Sequence, residues 1–246
     1  MEERLDKILV QRNLVSSRVR AEQVIQEIGV KVNGKLIQKS GKKFPLDCKI
    51  ELVAEEIPYV SMDALKLEEA FNKWKIEIEN GIFLDVGCST GGFTEFLLSQ
   101  NASKVFATDT SKNALHAKIQ ENSSVVDLTG GPIREITKKT VTDELDGCVI
   151  NAPFLAMEKV FPFIHGFVKE NGFVIALLKP TFEAEKDFLK HDGTLKNNKA
   201  FPIIIDNIKK IGKLNNLEFI ESIQSPILGN NGQPELIAYF RKKTTV

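Results

Sequence analysis

The sequence is poor in the residues that most often announce a chemistry, with 3 cysteines, 3 histidines and 1 tryptophan among 246 residues. Cys48, Cys88 and Cys148 are single and far apart, which argues against a disulfide framework or a cysteine-based metal site and fits a reducing compartment. Long apolar runs are missing too, so no segment reads as a membrane span. The opening Met1-Glu-Glu-Arg4 has neither the basic nor the apolar region of an export signal, and a cytoplasmic location is expected. Net charge is also lacking, since 33 Lys and Arg balance 33 Asp and Glu, and no overall field draws the chain to nucleic acid. The spread is uneven, however. Residues 1–53 hold 11 basic against 7 acidic side chains, a net of +4, ahead of a modestly acidic remainder. Against these absences, 42% hydrophobic and 27% charged residues are the ordinary mixture of a soluble globular chain, long enough for one large domain and a small one.

The rest can be placed around Phe83-Leu-Asp-Val-Gly-Cys-Ser-Thr-Gly-Gly-Phe-Thr94. Ile82–Val86 reads as a buried strand, Gly87, Gly91 and Gly92 as a tight turn, and Phe93–Leu98 as a helix. A strand, a glycine turn and a helix N-terminus make a nucleotide-type site. The turn is not the pyrophosphate fingerprint, because its order is G-x-S-x-G-G and Asp85 at the strand end would repel a phosphate. A cationic ligand suits Asp85 better. Further strands follow at Lys104–Asp109, Val125–Asp127, Gly147–Asn151, Phe173–Leu178, Leu217–Ile223 and Glu235–Phe240, with a helix near Ser111 and another over Ile203–Ile211. Asp109, ending the second strand, is the expected ligand of ribose hydroxyls, and Asp127 or a neighbouring amide is placed near an adenine. Upstream, Ala64–Trp74 has the spacing of an amphipathic helix, on which Lys66 reads by composition as a solvated lysine.

In the first 53 residues, Leu5, Ile8, Leu9 and Leu14 mark one helical face, and Ser16 and Ser17 cap a second helix whose inner face is Ala21, Val24 and Ile25. Val30-Lys-Val32 then alternates as a strand into Asn33-Gly34, a strong hairpin signal, with Leu36-Ile37 returning and Ile50–Val53 completing a small sheet. Residues 54–60 have the polarity and proline of a connector, and 61–246 would form the larger domain.

These residues carry resemblances. Arg4-Leu-Asp-Lys-Ile-Leu-Val10, Ser17-Arg18, Ala21 and Val30-Lys-Val-Asn-Gly34 resemble the S-four RNA-binding domain, which implies contacts to structured RNA from Arg18, Arg20, Lys31 and Lys35. The glycine turn resembles the first motif of class I S-adenosylmethionine-dependent methyltransferases, an α/β fold with a seven-stranded mixed sheet whose last strand is antiparallel. That likeness implies a cofactor site at Asp85, Gly87, Cys88, Ser89, Gly91, Gly92, Phe93, Asp109 and Asp127. With Leu65-Lys66-Leu67-Glu68, Lys179-Pro180, Phe182-Glu-Ala184 and Ser225-Pro226-Ile227 added, residues 61–246 resemble the FtsJ-like 2′-O-methyltransferases, and the whole chain the bacterial TlyA, or hemolysin A, group. The implied cofactor is S-adenosyl-L-methionine and the implied partner is ribosomal RNA or a ribosomal subunit, with no metal and no membrane. That family uses a Lys-Asp-Lys-Glu tetrad, three of whose members transfer to Lys66, Lys179 and Glu235.

The chain departs from the pattern at Thr110-Ser-Lys-Asn113, at Lys190-His-Asp-Gly-Thr194 and in two further places. The tetrad's aspartate is Asn151 here, within Asn151-Ala-Pro-Phe154, and the usual Ser-Arg-Gly-Gly ahead of the first lysine is Ser61-Met-Asp-Ala64, so a base is lost and an acid gained. Three readings stay open. They are a ribose methyltransferase with Lys179 as proton acceptor, Lys66 as positioning charge and Glu235 as orienting group; an amino-methyltransferase using Asn151-Ala-Pro-Phe154; and an RNA-binding module with little turnover. The membrane activity suggested by the name hemolysin finds no cationic amphipathic segment in support.

Overall fold

A computed structural model describes residues 2–15, 17–53, 59–152, 154–191, 194–229 and 232–244. Ser16, most of the connector (54–58) and Pro153 thus lie outside the described residues. The chain divides into two compact units, Met1–Met62 and Asp63–Val246.

In the first unit, β1 (Glu2–Arg4) runs into α1 (Leu5–Gln11), followed by α2 (Arg18–Gln23) and a π-helical turn, Val24–Ile28. Helix α1 is shorter than the apolar spacing implies: Asn13 takes a positive φ of 54°, so Leu14 packs from a turn rather than from the helix. Ser17 Oγ accepts from the Arg20 N–H at 3.2 Å, a cap that contributes about 1 kcal/mol. Next come β2 (Val30–Val32), β3 (Lys35–Ile37), β4 (Lys43–Pro45) and β5 (Ile50–Leu52). Asn33 and Gly34 both have positive φ, 50° and 78°, as the two-residue turn of a twisted hairpin demands. The sheet order is β3-β2-β5, all antiparallel, and a separate β1–β4 pair, not foreseen from the sequence, joins residues some forty positions apart. Leu5, Leu9, Ala21, Val24, Ile25 and Val30 form the core, so the apolar faces of helices and sheet meet.

The second unit begins with α3 (Asp63–Trp74), then β6 (Ile82–Val86), α4 (Gly92–Ser99), β7 (Lys104–Thr108), α5 (Ala117–Gln120), β8 (Val125–Asp127) and β9 (Leu145–Ile150). It continues with α6 (Met157–Ile164), β10 (Val168–Leu178), α7 (Pro180–Glu183), α8 (Ala200–Leu214), β11 (Leu217–Gln224) and β12 (Leu236–Lys242). One seven-stranded sheet has the order β11-β12-β10-β9-β6-β7-β8, with β12 antiparallel to both neighbours, the arrangement of a methyltransferase fold. Apolar side chains on both faces explain the near-continuous hydrophobic strands. Phe161 meets Phe240 edge-on at 5.1 Å, while Phe71 of α3 touches Phe96 and Phe173, each at 5.4 Å. Each buried ring contributes about 1.5–3 kcal/mol and fixes α3 against α4 and β10.

No helix starts near Ser111. The chain turns there through Asn113, at a φ of 53°, and becomes helical only at the four-residue α5, capped by His116 Nδ1 accepting from the Lys118 N–H. Serine, asparagine and the Asp109 carboxylate favour local turns over helix in this stretch.

Candidate active site

From β6 the chain moves outward to β7 and β8, then crosses back to lay β9 on the other side of β6. Ligands of open α/β sheets bind beyond the carboxyl ends of the strands at such a reversal. Gly87 leaves β6 with a φ of +79°, and a Cβ there would lie 2.6 Å from the Asn151 carbonyl oxygen and 2.7 Å from Ala152 Cα. Only glycine allows the two strand ends to approach so closely. Beside them opens a cavity of about 370 Å³, with Gly87, Ser89, Asp109, Ile133, Ala152 and Phe154 among its walls.

Asp109 Oδ2 accepts from the Ser89 N–H at 3.1 Å and Oδ1 from the Ser111 N–H at 2.8 Å, so the carboxylate is held rigidly at the cavity wall with lone pairs to spare. Asp85 is fully buried. Thr94 Oγ1 donates to its Oδ2 at 2.7 Å, while Oδ1 has no partner among the described residues. Burial raises the Asp85 carboxyl to about pH 7, against the Thr94 hydrogen bond that lowers it. An orphaned buried carboxylate oxygen, an aspartate fixed at the cavity wall and a close-set glycine turn fit a nucleoside that carries positive charge.

Not every expected cofactor residue reaches this cavity. Asp85, Cys88, Gly91, Gly92 and Phe93 belong to the end of β6, the turn and the start of α4 without lining it. Asp127 also lies outside, because its carboxylate accepts from the Thr129 N–H at 2.9 Å and Gln120 Nε2 at 3.0 Å. Thr110, Ser111 and Ile133 line it instead, from loops after strand ends that carry no motif of their own. Phe154 sits at the wall with a φ of 65° and 80% of its surface exposed, its ring 5.4 Å from that of Phe182.

One residue from the cavity wall lies a cluster of charge. Lys66, read by composition as solvated, is buried, because α3 turns this face onto the sheet's end rather than to water. Its ammonium sits 2.7 Å from Asp63 on the same helix and 2.7 Å from Glu235 at the entrance to β12. Burial lowers the Lys66 pKa, but the two carboxylates more than offset it and the net direction is upward. Lys179, at the end of β10, goes the other way. Burial and the Lys66 charge outweigh Glu235 and Asp63, and its pKa falls below the usual lysine range. Asn151, at the end of β9, donates from Nδ2 to Asp63 Oδ2 at 2.8 Å, which orients its amide and leaves Oδ1 without a partner among the described residues.

Supporting residues hold the cluster. Gly229 has no room for a Cβ, because Glu235 occupies that space, and Ser225 pins the same loop by donating its N–H to the Glu235 carbonyl at 2.9 Å and its Oγ–H to the Ile227 carbonyl at 2.7 Å. Glu183 accepts from the Met157 N–H at 3.0 Å, which ties α7 to the start of α6. Sequence reasoning missed Gly229 and the part played by Asp63, which it read only as an acid out of place.

In the first unit Arg18 is committed within the module. Its Nε lies 3.3 Å from the fully buried Asp6 and 3.6 Å from Glu22. Arg4 joins at 2.6 Å, and these partners hold the Asp6 carboxyl far below the usual range. Arg20 is half-buried, and Lys31 and Lys35 are exposed on the hairpin. Among the described residues no helix is long and apolar enough to cross a membrane, and no cluster of side chains fits a metal ion.

Residues 59–242 match the family of FtsJ-like methyltransferases and residues 3–45 the S4 domain. The chain is 34% identical over 239 residues to a protein named hemolysin A from Brachyspira hyodysenteriae, covering 96% of this chain and 99% of that one. It is 26% identical over 242 residues to the 16S/23S rRNA (cytidine-2′-O)-methyltransferase TlyA of Mycobacterium tuberculosis, covering 98% and 90%. A solved structure from Streptococcus thermophilus, named as a candidate hemolysin, superposes with a TM-score of 0.78 at 26% identity over 99% of this chain and 90% of that one.

Proposed function

Because the chain belongs to the FtsJ-like methyltransferase family and carries an S4 domain ahead of it, we propose that it methylates a ribose 2′-hydroxyl of ribosomal RNA with S-adenosylmethionine. The observation that carries this reading is the Lys66–Asp63–Glu235 group, in which the lysine and glutamate are buried and the aspartate half-buried, with Lys179 beside it, joined to the cavity through Asn151 and Ala152. A ribose hydroxyl is a weak nucleophile near neutral pH, so the site must take up its proton as it attacks. S-adenosylmethionine supplies a methyl group on a sulfonium, a leaving group that departs neutral. Lys179, whose lowered pKa leaves more of it as free amine, would take the proton that the hydroxyl gives up on accepting that methyl group. Lys66 stays an ammonium, fixed by two carboxylates, and holds the acceptor oxygen in line. Asp109 would hold the cofactor's ribose, and Asp85 would face its positive charge.

The unpartnered Asn151 Oδ1 and the exposed Phe154 ring favour a second reading, in which the amide oxygen accepts from an exocyclic base amine and the ring stacks on the base. Lys66 and Lys179 have no task in that chemistry. Incubating the protein with unmodified ribosomal subunits and methyl-labelled cofactor, followed by alkaline hydrolysis, separates the two. Ribose methylation leaves an uncleaved dinucleotide carrying the label, whereas label on a base in a mononucleotide would overturn the proposal.

A further inference from the structure

Within this reading of the site as a methyl-transfer centre, one departure of the sequence acquires a physical meaning. We infer that Asp63 is the second carboxylate of the reaction centre: it supplies the negative charge between Lys66 and Lys179, and Asn151 is the hydrogen-bonding link that aims it. Asn151 is neutral, so with Lys66, Lys179 and Glu235 alone the site would hold an excess positive charge on a buried Lys66 and a half-buried Lys179. Uncompensated buried charge is costly. Asp63 closes the balance, with two ammonium groups facing two carboxylates.

The geometry is specific. Asp63 Oδ1 lies 2.7 Å from Lys66 Nζ, and its Oδ2 accepts from Asn151 Nδ2 at 2.8 Å, so each oxygen has its own partner. A carboxylate at position 151 would place two negative oxygens against each other at that distance, and an asparagine at 63 would lose the ammonium. The two positions therefore form a matched pair in which the acid sits on one side or the other. The groups facing Lys179 are Asp63 and Lys66 from α3 and Glu235 from the entrance to β12. Asp63 also stands three residues before Lys66, in the first turn of α3, where the helix dipole favours an anion. It acts through its neighbours and is a positioning residue.

The test moves the charge, using the full chain with Asp63→Asn, Asn151→Asp and both together. Acetylation of Lys179 by acetic anhydride, read by mass spectrometry across a pH series, gives the midpoint at which its amine becomes free, and needs neither RNA nor cofactor. Asp63→Asn removes a neighbouring negative charge and should lower that midpoint by about one unit; Asn151→Asp should raise it by a similar amount. The double variant should return it close to the wild-type value and recover most of the methyl transfer that Asp63→Asn loses. A merely structural role gives no such reciprocal rescue. An unmoved midpoint in Asp63→Asn, or a double variant no better than Asp63→Asn, overturns the assignment. Should Asp63→Asn fold poorly, the upward shift in Asn151→Asp alone decides, and a downward or absent shift refutes it. Midpoints that move as stated in a protein that labels no ribose support the role of Asp63 and overturn the function proposed above.

Discussion

Replacing Asp85 with asparagine should make the protein more stable and less able to bind its cofactor. The carboxyl is fully buried, has one oxygen bonded to Thr94 and the other without a partner, and is raised by burial from an ordinary 3.8 to about 7. Below the unfolded pKa both states hold the proton and the residue costs nothing. Between pH 4 and 7 the unfolded chain ionises while the folded one stays protonated, so stability falls as the pH rises, and above 7 the penalty is constant. Three units correspond to about 4 kcal/mol. The amide returns part of this by leaving an N–H unpaired, which makes the expected gain at pH 8 about 2 kcal/mol. Urea denaturation of wild type and Asp85→Asn at pH 5 and pH 8 measures it, and the advantage of the variant should grow with pH. Calorimetry with S-adenosylmethionine should show the reverse for binding, with wild-type affinity rising up to about pH 7 and the variant weaker at pH 8 by about tenfold or more. A stability gain that is the same at both pH values, or unchanged affinity, would refute the account of Asp85 as a carboxylate held destabilised for a cation.

Further outcomes follow from neighbouring contacts. Asp109→Ala removes the acceptor fixed by Ser89 and Ser111, and its dissociation constant for S-adenosylmethionine should rise by about ten- to a hundredfold in calorimetry. Gly229→Ala forces Glu235 away from Lys66, so turnover should fall at least about tenfold while cofactor affinity holds, a split that steady-state kinetics would expose. Removing residues 1–53 should leave the cofactor affinity of the remainder unchanged but flatten the salt dependence of RNA binding, because the phosphate contacts expected of exposed lysines such as Lys31 and Lys35 would be lost; an unaltered slope would dismiss that module as the RNA anchor.

The parts of this molecule that could be read from the chain are those whose cause is local. An apolar run ending in Asp85 and a glycine turn must leave a strand sharply, and Asn33-Gly34 must reverse a hairpin, so both appear where the pattern places them. The turn after Asp109 has the sequence of a helix start because its serine and asparagine cap helices and make turns equally well, and only tertiary fit decides between them. The pairing of β1 with β4 joins residues some forty positions apart that carry no shared pattern, and could not be read. Lys66, Lys179 and Glu235 came from resemblance, not spacing, since a lysine on an amphipathic helix has the same pattern whether it meets water or two carboxylates.

The charge of the reaction centre illustrates the same limit at a finer scale. Read one position at a time, Asn151 is a lost acid and Asp63 an intruding one, and each looks like damage to a catalytic pattern. In the folded chain they are 2.8 Å apart although 88 positions separate them. What the chemistry constrains is the electrostatic sum around Lys66 and Lys179, which α3 and β9 can satisfy from either side because the start of α3 meets the end of β9. A buried lysine pair responds to where negative charge lies within a few ångströms, not to which backbone bears it. A motif that names one position for the acid therefore records one solution of a charge balance, and a chain that departs from it at two positions in contact has kept the quantity that the lysines sense.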